Sequence, residues 1–308
     1  MNKQNSHPES PSRRQFMVGT AALVAGLKPL SALANYKSTS ITVDLHSHTF
    51  LDENELNGFA STVGPDVSFI SGHPFLGELP EVIEILKQKQ IQLARNLDDV
   101  VKAKAVGKRV AMLATEGAYI LQGKIDKLEG YHDMGLVSLQ LFRDDGGGTI
   151  DSDGNLTAFG KDVIRTQNRL GMIVDVAHSS SETIEQVVKV STKPVMLSHF
   201  NTPLRDIWSL IAESGGVIGN WWRPVDARQG MTFDEWIDNF SDIVDEVGID
   251  HVGVQTELGT GIHRGPFDSY ADWGNIGDAL RDRGFSKPDT DKILGGNFMR
   301  MYRQNTVA

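Results

Sequence analysis

The chain has 308 residues, of which 40% are hydrophobic and 23% are charged, and this ordinary globular composition excludes a disordered or collagen-like chain. Lysine and arginine number 30 against 40 acidic residues, so the net charge of −10 disfavours nucleic acid as a partner, since nucleic-acid binding depends on neutralising phosphates. The sequence contains no cysteine, which excludes disulfides, thiolate metal sites and cysteine nucleophiles. Any bound metal must therefore be held by histidine and carboxylate side chains.

The first 34 residues have the pattern of an export signal. Arg13 and Arg14 precede an apolar run over 18–27, which is too short to span a bilayer because a span needs about 20 apolar residues. A small-x-small pattern ending at Ala34 is typical of a cleavage site. These features resemble a twin-arginine signal, which predicts export by the twin-arginine machinery and a periplasmic location. Residues 35–308 are predicted to form a single domain with no stable membrane span.

From Ile41 onward, short β-like runs alternate with longer runs of helical spacing. The runs predicted as strands are 41–48, 109–116, 136–142, 172–178, 194–199, 216–221 and 251–257. The segments predicted as helices are 80–106, 160–170, 181–190, 205–213 and 233–247. Seven strand–helix units in this order indicate a parallel sheet, and a weak eighth strand near 273–276 would close it. The predicted fold class is therefore α/β, a (βα)₈ TIM barrel.

Side chains that can bind a metal stand at the carboxyl ends of the predicted strands. The six residues are His46, His48, Glu116, His178, His199 and Glu257. His46 and His48 are two residues apart, so both project from one face of a strand. In a (βα)₈ barrel the carboxyl ends of the strands meet at one rim, where catalytic residues gather. Four imidazoles and two carboxylates at that rim predict a metal site suited to Zn²⁺, with Mn²⁺ or Fe²⁺ as alternatives.

Several segments resemble the membrane (renal-type) dipeptidase family. Residues 168–179, NRLGMIVDVAHS, are similar to the central signature of that family, and residues 193–199, KPVMLSH, are similar to the next one. The segments TEG at 115–117 and ILGGNFMR at 293–300 also match. The resemblance covers most of the chain from Asp44 to Arg303. It implies a (βα)₈ barrel that holds two zinc ions and hydrolyses dipeptides.

The resemblance also implies a role for each matching position. His46 and the residue at position 48 would bind one metal. Glu116 would bridge both metals, and His178 with His199 would bind the second. Glu257 stands where the family has an aspartate that binds the first metal and handles a proton. Glu116 and Glu257 are thus the candidate catalytic residues.

Three residues depart from the family pattern. His48 replaces an aspartate, which gives the His-x-His motif of the wider amidohydrolase superfamily and still offers a ligand. Glu257 is one methylene longer than the family's aspartate. Arg143 aligns with the substrate-binding histidine of the family, and its fixed cation suits a carboxylate or phosphate better than a peptide carbonyl. A salt bridge from Arg143 to Asp144 or Asp145 at the rim is an equal alternative, and Arg205 is a second candidate for binding substrate.

The predicted function is hydrolysis of a peptide bond in a dipeptide-like substrate by a metal-bound hydroxide, with Glu257 moving a proton to the leaving nitrogen. Two alternatives stay open. The same metal pair would hydrolyse a lactone or a cyclic amide. A barrel of this kind would also serve as a non-catalytic binding protein or a maturation factor in the periplasm, although an inert binder has no need for the carboxylate at position 257.

Overall fold

The structure is a computed structural model that describes residues 40–48, 67–70, 79–143, 146–200, 205–220, 231–258 and 269–306. The export signal predicted for residues 1–34 lies outside these ranges. Strands β1 to β9 are Val43–Ser47, Val67–Ile70, Gln92–Leu93, Val110–Thr115, Leu136–Gln140, Ile173–Asp175, Val195–Leu197, Val217–Asn220 and Val252–Val254. Helices α1 to α10 are Leu79–Gln88, Leu97–Ala105, Asp126–Met134, Ala158–Leu170, Ser181–Val190, Arg205–Glu213, Phe233–Val247, Trp273–Asp282, Lys287–Asp291 and Asn297–Thr306, with a π-helical turn at Lys292–Gly296.

The sheet is parallel and closes on itself. Its nine strands lie in the order β2-β1-β9-β8-β7-β6-β5-β4-β3, and β2 also pairs with β4. The second pairing closes a ring from which only β3 is left out, so the ring has eight strands. The two residues of β3 pair with the start of β4, Gln92 with Val110. Eight parallel strands with helices between them confirm the predicted (βα)₈ barrel.

The eighth strand of the barrel is not where the sequence predicted it. The strand is β2, and the segment near 273–276 belongs to helix α8. Trp273, Ile276 and Leu280 are buried at intervals of three and four residues, which is helical spacing. β2 has only four residues, VSFI, so its sequence carries little periodicity.

The predicted helix over 80–106 is likewise wrong, because the segment forms two helices separated by β3. Asn96 interrupts it: its side chain accepts a hydrogen bond from the Asp99 amide at 3.0 Å and starts α2. The other predicted helices are confirmed, and α5, α6 and α7 begin and end where the spacing placed them. Thr232 and Glu235 form a reciprocal capping box at the start of α7. Within the described part of the chain, no helix combines the length and apolar character needed to cross a bilayer.

Two apolar clusters fill the fold and leave one end of the barrel polar. The inner cluster joins residues near the strand starts, such as Val43 and Met112, to Phe298 and Tyr302 of α10. The outer cluster packs helices such as α7 against the strands, with Trp236 fully buried. Each large apolar side chain buried in this way contributes about 1.5–3 kcal/mol. Because α10 closes the barrel where the strands begin, the polar residues collect at the opposite end.

Candidate metal centre

The structure brings all six predicted metal ligands together at the carboxyl ends of the strands. They come from the ends of five strands: β1, β4, β6, β7 and β9. Four of these residues form one group, in which one ligand atom from each residue lies within 4.8 Å of all the others. The residues of that group are His46, Glu116, His199 and Glu257.

His48 lies beside this group, on the side that faces Glu257. Its Nε2 atom is 3.1 Å from His46 Nε2, 3.1 Å from Glu116 Oε1 and 3.6 Å from Glu257 Oε1. His46 Nε2 is itself 3.0 Å from Glu116 Oε1 and 3.4 Å from Glu257 Oε2. Two imidazole nitrogens and two carboxylates therefore point at a common space.

His178 contacts a different pair of side chains, those of His199 and Arg143. Its Nε2 atom is 2.9 Å from His199 Nε2 and 3.0 Å from Nη1 of Arg143. The same Nη1 atom forms an ion pair with Oε2 of Glu116. Arg143 thus reaches the metal centre, while Asp144 and Asp145, its predicted alternative partners, lie outside the described residues.

The other predicted substrate residue, Arg205, is not brought into this cluster. It starts α6, is 58% exposed, and pairs with Asp242 at 3.4 Å while its guanidinium lies over the ring of Trp208. These contacts place it on the outer helices. Its predicted role in binding substrate stays a prediction.

Two of the six residues have a backbone conformation that non-glycine residues rarely adopt. His178 has φ of 63° and Glu257 has φ of 54°, both in the left-handed region. Such a conformation costs about 1–3 kcal/mol and persists only where the surroundings impose it. At Glu257 the backbone amide donates to the His46 carbonyl at 3.1 Å, which ties the end of β9 to β1. Strain of this kind is concentrated at functional sites.

A buried carboxylate supports each side of the centre. Asp175 accepts a hydrogen bond from Ser198 Oγ at 2.5 Å, and that hydroxyl is 2.9 Å from Nδ1 of His199. The chain of contacts fixes the ring so that its Nε2 atom faces the cluster. Sequence reasoning missed both residues, although each lies inside a motif that resembles the dipeptidase family, DVAHS and LSH.

Asp44 supports the other side. Its carboxylate accepts hydrogen bonds from the His46 amide at 3.2 Å, from Thr256 Oγ1 at 2.6 Å and from the Tyr270 hydroxyl at 2.6 Å. Burial raises the pKa of Asp44 to about 7, although these hydrogen bonds act in the opposite direction. Thr256 and Tyr270 were also missed, because only the closed barrel brings them to β1.

Charge divides the centre into two halves. Burial favours the neutral form of His48, but hydrogen bonds to Glu116 and Glu257 outweigh it and raise the pKa of His48 to about 9. Burial alone would raise the pKa of both glutamates, yet the neighbouring histidines hold both values well below the usual range. On the other side, burial and the charge of Arg143 lower the pKa of His178 to about 4.

Most of the chain that forms this centre matches a known family model, although His46 and His48 lie before the matched residues. The model for membrane dipeptidase, peptidase family M19, matches residues 78–308. The chain belongs to the membrane dipeptidase family. The cluster of histidines and glutamates in this M19 member is consistent with a metal cofactor.

Individual relatives of this family member are distant. It is 24% identical to dipeptidase tcpJ of Claviceps purpurea over 73% of its own length and 58% of that protein. The chain therefore spans just over half the length of that curated relative. Among solved structures, the probable dipeptidase PvdM of Pseudomonas aeruginosa has a TM-score of 0.73 at 17% identity, covering 87% of this chain and 96% of that one.

A second solved structure gives the same fold. The metallopeptidase of Rhodobacter sphaeroides, which was solved with a phosphinate mimic of the dipeptide L-Ala-D-Ala, has a TM-score of 0.69 at 16% identity. The match covers 86% of this chain and 99% of that one. Because the sequence identity is low, these two structures show that the fold is shared and nothing more.

Proposed function

We propose that this chain is a metal-dependent hydrolase that cleaves the peptide bond of a dipeptide-like substrate. The observation that carries the proposal is the convergence of His46, Glu116, His199 and Glu257 within 4.8 Å at the catalytic rim of a dipeptidase-family barrel. A purely structural role gives no reason to bury two ionised carboxylates against three imidazoles, since burying charge is costly unless it is paired.

The donor set fits a divalent transition metal. Zinc bonds to nitrogen and oxygen are ~2.0–2.2 Å long, so the ligands of one ion lie within ~4.4 Å of each other. The observed limit of 4.8 Å needs only a small contraction. Imidazole and carboxylate ligands suit Zn²⁺, with Mn²⁺ and Fe²⁺ as alternatives. Such an ion supplies an activated water as nucleophile and a Lewis acid for the substrate carbonyl.

The side chains of the centre divide the remaining work. Glu257 is ionised, is 11% exposed and ends the strand beside His46, so it can take a proton from the nucleophilic water and deliver it to the leaving nitrogen. Arg143 is 34% exposed, which leaves part of its guanidinium available to a substrate carboxylate. We therefore expect substrates with an acidic group to be preferred.

The experiment that tests the proposal combines metal analysis with a dipeptide panel. The purified protein, reconstituted with Zn²⁺ or Mn²⁺, is assayed for kcat/KM on neutral and acidic dipeptides, and lactones and cyclic amides are included in the same panel. We expect bound metal and hydrolysis of dipeptides, fastest for acidic ones. A protein that binds no metal, or that binds metal and cleaves none of these compounds, contradicts the proposal. Cleavage of lactones alone would favour the alternative hydrolase.

We also propose that the protein is exported to the periplasm by the twin-arginine route. The support is the order of Arg13, Arg14, the apolar run and the small residues up to Ala34 in the sequence. Replacing both arginines by lysine should abolish the appearance of protein cleaved after Ala34 in the periplasmic fraction. Undiminished export of that variant would contradict the twin-arginine route.

A further inference from the structure

Arg143 occupies the half of the centre where a second metal ion is expected from the family resemblance. The resemblance gives that ion Glu116, His178 and His199 as ligands. Nη1 of Arg143 forms an ion pair with Oε2 of Glu116 and lies 3.0 Å from His178 Nε2. One nitrogen of the guanidinium therefore contacts two of the three ligands that the resemblance gives the second ion.

An ion and the guanidinium cannot share this position. A zinc ion bound to Glu116 Oε2 and His178 Nε2 would lie ~2.0–2.2 Å from each of them, in the space that Nη1 fills. Two cations at such short range also repel each other strongly in a poorly solvated site. Arginine cannot relieve the conflict by losing its proton, as a histidine at this position can.

Two glycines pack against the backbone and Cβ of Arg143. A Cβ atom on Gly117 would lie 2.9 Å from Cβ of Arg143, so the absence of a side chain directly after Glu116 leaves room for a side chain at position 143. Gly117 also has φ of 93°, which other residues rarely adopt. On the other side, the amide of Gly146 donates to the Arg143 carbonyl at 3.0 Å.

We propose that the guanidinium of Arg143 takes the place of the second metal ion, so that the centre holds one divalent ion. This inference rests on the proposed function, because it assumes that the group formed by His46, Glu116, His199 and Glu257 binds metal. Arg143 then supplies the second positive charge against Glu116 permanently. His178 becomes a hydrogen-bonding neighbour of Arg143 and His199 instead of a ligand.

The test is the metal content of the protein at saturation, which needs no activity. The wild type is reconstituted with excess Zn²⁺, freed of unbound metal and analysed, and we expect about one ion per chain. Arg143→His, which restores the residue type at that position in the family, should bind about two. Arg169→His is the matched control, because Arg169 also pairs with a glutamate, Glu129, but on the exposed helix surface. The control should stay at the wild-type value.

A second measurement reports on the geometry of the site. Electron paramagnetic resonance of the Mn²⁺ form should show isolated ions in the wild type and exchange-coupled ions in Arg143→His. Arg143→Gln removes the charge and shortens the side chain only moderately. It is measured in the same two experiments if Arg143→His does not fold.

The outcomes separate the two proposals. Two coupled ions in the wild type would overturn the inference and leave the proposed function intact. A folded Arg143→His or Arg143→Gln variant that still holds one ion would also overturn it, because Arg143 would then not be what excludes the second ion. A wild type that binds no metal would overturn the inference and the proposed function together.

Discussion

The two halves of the metal centre share Glu116 and differ in what surrounds it. The carboxylate half consists of His46, His48 and Glu257, and the arginine half consists of His178, His199 and Arg143. Both rest on a buried aspartate, Asp44 below the first and Asp175 below the second.

Charge separates the halves despite their similar supports. In the carboxylate half the neighbouring glutamates raise the pKa of the imidazoles, whereas in the arginine half burial and like charge lower it. On the proposals above, the ion is held by His46, Glu116 and Glu257 together with His199, and the rest of the arginine half contributes a fixed cation beside it. On the proposal made above, the centre keeps its histidines while a guanidinium, rather than a second ion, supplies the charge beside them.

The largest effect is expected at Glu257, the carboxylate that only the first half possesses. Glu257→Gln keeps the shape of the side chain and removes its charge, so kcat/KM should fall by ~10²–10⁴-fold, the usual value of general acid–base catalysis. Metal content, measured on the same samples, should be retained if Glu257 mainly carries a proton. Loss of the ion together with the activity would instead make Glu257 an essential ligand. Glu185→Gln, in an exposed ion pair with Lys189, is the matched control.

The next effect concerns the support below the arginine half. Asp175→Asn weakens the hydrogen bond that fixes Ser198 and, through it, the ring of His199. We expect metal affinity to fall by ~10–100-fold, the usual result of removing a partner that orients a ligand. Competition with a chelator measures the affinity, and Asp162→Asn on the helix surface controls for the loss of a charge. Unchanged affinity would mean that His199 needs no such support.

The pH dependence of the metal-free protein probes the carboxylate half. The pKa of His48 rises from 6.5 to about 9 on folding, so its contribution to stability is full below pH 6.5 and is lost as pH rises through about 9. The free energy of unfolding, measured by denaturant titration with a chelator present, should decrease over this window. His48→Gln should reduce that slope. A wild-type slope equal to that of the variant would show that His48 is not protonated in the folded metal-free state.

The smallest effect is expected for the arginine that belongs to neither half. Arg205→Ala removes an exposed pair with Asp242, and such pairs contribute only about 0–1 kcal/mol. Denaturant titration should therefore give a free energy of unfolding close to that of the wild type. Measurement of kcat/KM on the same variant tests the prediction that Arg205 binds substrate. A fall of tenfold or more at constant stability would support that role.

The strand-end pattern was enough to predict the barrel and to gather His46, Glu116, His199 and Glu257, because the carboxyl ends of parallel strands meet at one rim. It could not predict the contact between Arg143 and His178, which are 35 residues apart and joined by no local periodicity. The left-handed conformation of His178 and Glu257 could not be predicted from the sequence either, because tertiary contacts impose it against the local preference of the chain.

The placement of Asp44 has a consequence for when the centre can form. Its hydrogen bonds come from Thr256 and Tyr270, which are 212 and 226 residues further along the chain. Contacts of such long range form late, because the entropy lost in closing the intervening loop must be overcome first. His46 is therefore oriented only after most of the polypeptide has been synthesised and the ring of strands has closed. A nascent chain therefore has separate histidines and carboxylates, and the assembled cluster exists only after the barrel has closed.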